Sequence, residues 1–197
     1  MTKGRLEAFS DGVIAILITI MVLELKVPRG TDFAALRPMW PTFLAYLMSF
    51  VVLAIYWNNH HHMLHATRHV TGGVLWANVH LLFWLSLIPF TTAWMGEDEF
   101  APFPTAAYGA VLLLAGVAYY VLQSTIIASD GMAPEVAAVL RGDPKGRISV
   151  ALYAAAVPLA FVHRAIAGAI FVAVALMWLV PDRRIEKALA DRIRAGQ

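Results

Sequence analysis

Six apolar runs, each bounded by proline, glycine or charge, divide the chain at about 6 to 26, 40 to 62, 72 to 95, 104 to 128, 148 to 163 and 165 to 181. A hydrocarbon core roughly 30 Å thick takes about 20 helical residues per crossing, and a spanning helix satisfies its own backbone, so each run predicts a membrane helix. The last two runs form one apolar stretch interrupted only by His163 and Arg164. A single helix of about 34 residues would overshoot the hydrocarbon by a wide margin, so two short spans joined by a tight turn are expected there. Pro89 frees a carbonyl about one turn earlier, near Leu85, and predicts a bend in the third span; Pro158 suggests another in the fifth. The predicted fold is all-α, a polytopic membrane protein with six transmembrane helices over residues 1–181, followed by a basic tail over 182–197.

Composition strengthens this picture. Of 197 residues, 60% are hydrophobic and 14% charged, against about a quarter charged in soluble domains, and the mean hydropathy is +0.68. No soluble domain is left over once the spans are placed. The chain has no cysteine, which removes disulfides, thiolate metal ligands and a thiol nucleophile. The first run starts behind an aspartate and ends in Glu24-Leu25-Lys26 without a small-residue cleavage pattern, so it is expected to be a span and not a cleaved leader.

Charge placement predicts orientation. With the N-terminus inside, Lys3, Arg5, Arg68, Arg141, Lys145, Arg147, Arg183, Arg184, Lys187, Arg192 and Arg194 fall on the inner side, eleven of the fifteen basic residues. The outer side holds Lys26, Arg29, Arg37, Arg164 and the acidic turn Glu97-Asp98-Glu99. The positive-inside rule then puts both termini in the cytoplasm. The tail has a basic helical pattern suited to lying on anionic lipid. A net charge of +2 gives no case for a nucleic-acid partner.

The first span carries two different faces. At about 100° per residue, Phe9, Gly12, Ile16, Thr19, Ile20 and Leu23 share one stripe, and Asp11 lies about 140° from Ile16. Such a stripe is ordinary packing by periodicity alone. An intramembrane carboxylate needs a partner, and Arg5 or the histidines ending the second span are candidates; a first-turn acid at the interface is the simpler alternative.

The second span ends in YWNNHHHMLHATRH, where His61, His65 and His69 fall at i, i+4 and i+8. This spacing can bind zinc or copper, but no cysteine or acid stands within the run, so interfacial histidines are expected and no metal site or other cofactor is assigned. A histidine paired with Asp11 would make activity respond to pH. Asn78 in the third span suits an interhelical hydrogen bond. No nucleophile and base pair, phosphate-cradling loop or paired catalytic carboxylate is present, which argues against an enzyme. A proton-coupled secondary transporter using Asp11 and the second-helix histidines is the competing class, though matched broken helices are missing.

Residues Arg5 to Leu25 resemble the signature of the transmembrane protein 175 family, the endolysosomal potassium channels and their prokaryotic relatives, whose first helix opens with an R-x-x-x-F-S-D motif. It stands here as Arg5, Phe9, Ser10 and Asp11. The resemblance continues through YWNNHH, LWANVHLLFWLSLIPFTTAWMG and PDRRIEKAL. It implies a potassium-permeable, modestly potassium-over-sodium selective channel in the bilayer of a prokaryotic plasma membrane, assembled as a homotetramer with first helices around the pore. By distance from the motif, the family's aliphatic constrictions fall on Ile16 and Leu23, with Thr19 as a hydroxyl ring between them. Arg5, Phe9, Ser10, Asp11, His60 or His61, and Asn78 correspond to the structural network that anchors the family's first helix.

Overall fold

The computed structural model describes residues 2–129, 131–142 and 144–179. Among these the protein is all-helical: α1 (Lys3–Ile20), α2 (Trp40–Ala66), α3 (Gly72–Ser86), α4 (Ile88–Glu97), α5 (Pro102–Ala128), α6 (Pro134–Arg141), α7 (Lys145–Val162) and α8 (Arg164–Leu179). α1 tightens into a 3₁₀ turn at Met21–Glu24, and another 3₁₀ segment, Phe33–Met39, leads into α2. Five stretches are long and apolar enough to cross a membrane: Lys3–Glu24, Phe33–Ala66, Gly72–Glu97, Pro102–Ala128 and Lys145–Val162. α8 is apolar but shorter, at 16 residues. The protein is therefore a polytopic helical membrane protein. Large apolar side chains such as Trp76, Phe103 and Val162 face outward, as a lipid-facing surface requires.

The third run is a broken helix. α3 stops at Ser86 and α4 begins at Ile88, next to Pro89, which has no N–H to donate. Leu87 N–H turns back to Trp84 O at 3.2 Å. Thr91 and Thr92 bond the neighbouring carbonyls, their hydroxyls donating to Leu87 O at 3.1 Å and Ile88 O at 2.7 Å. The predicted bend is thus a break two residues past Leu85. By contrast, α7 runs through Pro158. His163 is extended (φ −159°) and separates α7 from α8, so the long apolar stretch is two helices. Their far ends meet: Trp178 Nε1 donates to Ser149 Oγ at 2.8 Å, making an antiparallel hairpin. The short α6 between the fourth and fifth runs was not foreseen; it buries Val136 and Ala137 on one face. The tail over 182–197 lies outside the described residues.

α5 packs against α3, α4, α7 and α8, with Leu112, Ala115, Ala118, Leu122 and Ile126 fully buried. α2 and α4 approach closely at Gly96, where a Cβ would lie 2.8 Å from Thr42 Cα and 3.2 Å from Ala45 Cβ. Ser49 inside this core meets two hydroxyls: its Oγ lies 2.6 Å from Thr92 Oγ1 and donates to Tyr108 Oη at 3.0 Å. At one end of the bundle Lys3 Nζ donates to His65 O and Arg68 N–H to Gly131 O, both at 2.6 Å. At the other end Lys26 pairs with Glu97, and Arg164 donates to Glu99 O at 2.7 Å. The Glu97 carboxylate holds the Lys26 ammonium above its ordinary range. Both groups are exposed, so the pair adds little stability.

Candidate functional site

α1 is amphipathic in an unusual sense: both of its faces are largely apolar, but only one is covered. Leu6, Ser10, Ile14, Leu17 and Met21 are buried against the rest of the chain. Phe9, Gly12, Ile16, Thr19, Ile20 and Leu23 are exposed, with Ile16 at 59% and Leu23 at 77%. This exposed set is the stripe expected from the sequence. Thr19 Oγ1 donates to Ile16 O at 3.0 Å. Its hydrogen is thus engaged within the helix, which leaves oxygen lone pairs on the uncovered side.

The covered face is fixed by a chain of hydrogen bonds through three helices. Asn78 Nδ2 on α3 donates to Ser10 Oγ at 2.9 Å. Asn78 Oδ1 in turn accepts from His60 Nε2 on α2 at 2.7 Å. All three residues are fully buried. With Nε2 carrying the proton, Nδ1 of His60 is a lone-pair acceptor, and it has no partner among the described residues.

Asp11 is only partly buried and accepts from Trp57 Nε1 at 3.0 Å. Neither Arg5 nor a histidine bonds it. Arg5 is exposed and makes no ion pair among the described residues. Of the two candidate histidines, His60 enters the network. His61 faces outward, its ring 5.9 Å from Trp57 and 6.2 Å from His65, nearly parallel to both. His69 leaves this row, its Nε2 bonding Ser129 O at 2.8 Å. Among the described residues no group of three or more histidine or acidic side chains is arranged to hold a metal ion.

Trp57 is the partner that sequence reasoning missed. Its place follows once the structure fixes the register. α1 and α2 run antiparallel, Lys3 meets His65, and steps of eight along α1 and back along α2 bring Asp11 opposite Trp57. The choice of His60 was legible, since it falls on the same helical stripe as the apolar Leu53 and Leu64, both buried.

Fold and site together define a helical membrane protein whose first helix is pinned to its neighbours on one side and left bare on the other. The family described as endosomal/lysosomal potassium channel TMEM175 matches residues 5–89, the segment carrying this whole network. A protein of Chryseobacterium sp. (strain P1-3) named a potassium channel is 50% identical over 191 residues, covering 97% of this chain and 100% of that protein. A potassium channel of Streptomyces collinus is 35% identical over 128 residues, 61% of this chain and 62% of its own. The crystal structure of a lysosomal potassium-selective channel TMEM175 homolog from Chamaesiphon minutus superposes with a TM-score of 0.80 at 28% identity, covering 90% of this chain and 96% of that one. The chain belongs to the TMEM175 family.

Proposed function

We propose that this protein is a potassium-permeable channel, without enzymatic activity, in which four copies surround a pore lined by the uncovered face of α1. The observation that carries the reading is the unequal treatment of that helix. A polar network at 2.7–2.9 Å holds one face, while Ile16, Thr19 and Leu23 stand in a row on the exposed other. Relatives named potassium channels support the choice of ion.

Four Ile16 side chains around an axis make a narrow apolar neck that resists wetting, so a cation entering it must shed part of its hydration shell. Potassium sheds water more readily than sodium, and Thr19 lone pairs replace some of what is lost. Modest potassium selectivity follows. Leu23 forms a second aliphatic ring toward the opposite end. Ser10, Asp11, Trp57, His60 and Asn78 position α1 and do not bind the ion.

The basic residues Lys3, Arg5, Arg68, Arg141, Lys145 and Arg147 gather at the Arg5 end of the bundle, which supports a cytoplasmic N-terminus in a plasma membrane. A proton-coupled transporter is less well supported, because a relay from Asp11 to His60 has no bond to run through: Asp11 accepts from Trp57 and His60 bonds Asn78.

Bilayer recording under opposed potassium and sodium tests the proposal. The reversal potential shifts toward that of potassium, and Thr19→Val reduces the shift. A reversal potential with no preference for potassium rejects the selectivity claim.

A further inference from the structure

Two exposed side chains on the outer surface of the bundle carry unmet hydrogen-bonding groups at one depth. On α3, Trp84 Nε1 donates to His80 Nε2 at 2.9 Å. Indole is a donor only, so Nε2 holds the lone pair and the ring proton sits on Nδ1. That Nδ1–H has no acceptor among the described residues. On α2, Asn58 is exposed, and its side-chain amide makes no hydrogen bond among the described residues.

Neither group is placed to find water. α2 has 27 residues, about 40 Å, and when centred it overshoots a hydrocarbon core of roughly 30 Å by about 5 Å at each end. Asn58 stands eight residues before Ala66 and His80 eight residues after Gly72, each about 12 Å from the Lys3 end of its helix. Both therefore lie about 7 Å inside the hydrocarbon, past the lipid ester carbonyls at its edge. Their levels also agree with each other: the His60 to Asn78 bond ties α2 to α3, and Asn58 and His80 each lie two residues further from that end. An amide or imidazole N–H at this depth needs a protein partner.

How α1 is held identifies that partner. Around α1, Ser10 lies about 120° to one side of Ile16 and Asp11 about 140° to the other. Ser10 is bonded by Asn78 of α3 and Asp11 by Trp57 of α2, so α3 and α2 stand on opposite flanks of the uncovered stripe. When copies are arranged by rotation about that stripe, the α2 flank of each meets the α3 flank of the next, a heterologous contact that closes into a ring. Asn58 shares its face of α2 with the exposed Leu47, about three turns away, and His80 is about one turn from the exposed Phe83 on α3. Apolar surface thus continues from both polar groups. We propose, resting on the four-copy reading, that α2 of one copy packs against α3 of the next, the side-chain carbonyl of Asn58 accepting from the His80 Nδ1–H across the contact. The bond selects this pairing of flanks, as polar residues do between membrane helices.

The test uses the full chain, which has no native cysteine. The double variant Asn58→Cys with His80→Cys is treated in membranes with a short bifunctional methanethiosulfonate and run on a denaturing gel. A contact passing from each copy to the next gives a ladder ending at four chains, and either single-cysteine variant stays at one. A ladder ending at two, or linkage within a single-cysteine variant, overturns the head-to-tail pairing. Absence of linkage in a protein that native mass spectrometry shows to be a tetramer overturns this inference and leaves the four-copy reading standing. A monomer by native mass overturns that reading itself. Should the cysteine variants not fold, a dilution series of Asn58→Leu and His80→Phe decides. Each weakens tetramer association about fivefold, the effect of one ordinary hydrogen bond, and because both act on one bond, the combined variant is weakened by less than the product of the two. Full additivity, or no effect of either variant, overturns the pairing.

Discussion

Asn78 is the residue on which the first three helices meet. Its amide is the only described bond to Ser10 on α1 and to the ring of His60 on α2, so Asn78→Ala strands two buried polar groups at once. Interhelical hydrogen bonds in membrane proteins are individually modest, but an orphaned buried group adds its desolvation cost. Asn78→Ala should lower stability by about 1–2 kcal/mol, read as a depressed melting temperature in detergent. Trp57→Phe, which removes the donor to a partly exposed Asp11, should cost less than about 1 kcal/mol by the same measurement. An unchanged melting temperature for Asn78→Ala would mean that the network does not hold α1. The sequence makes Ser10, Asp11 and Asn78 conspicuous as polar residues in apolar runs. It leaves the partner of Asp11 open because an aspartate's choice depends on inter-helix register, which no single helix contains.

The helices themselves are the most readable level, since a length near 20 residues and an unbroken apolar composition follow directly from the bilayer. Two elements escape that logic. α6 has eight residues, too short to announce itself against the surrounding loop, and it exists by packing Val136 and Ala137 onto the bundle. The break at Leu87 leaves the Leu85 carbonyl without a Pro89 N–H, and the Leu87 N–H turns back onto Leu85 O and Trp84 O, a repair that composition alone does not specify. Close helix approach is likewise tertiary. At Gly96 an added methyl would meet the backbone of Thr42 at 2.8 Å, and backbone yields less readily than a side-chain end. Gly96→Ala should therefore cost about 1–3 kcal/mol by overpacking. Gly168→Ala, on α8 with nothing within 4 Å, should be neutral or slightly stabilising through helix propensity. Thermal unfolding of the two variants side by side checks both, and equal behaviour would contradict the close α2–α4 contact.

At the scale of the whole molecule, the proposed function needs more than one chain. The row of Ile16, Thr19 and Leu23 looks like lipid-facing surface in isolation, and under the proposal an assembly of copies would make an ion path of it. That is why periodicity could separate the two faces of α1 without saying what the bare one is for. If the bare face lines a pore, Ile16→Asn should wet the neck and raise conductance in single-channel recordings; unchanged flux would move the constriction elsewhere. The chain offers a sharper probe, because it has no native cysteine. Ile16→Cys then carries the protein's sole thiol, on the uncovered face, and a charged thiol reagent applied during bilayer recording attacks that site alone. The account predicts that potassium current through Ile16→Cys channels is blocked by the reagent while wild-type current is untouched. Undiminished current from channels that mass analysis shows to be fully modified would contradict a pore lined by α1.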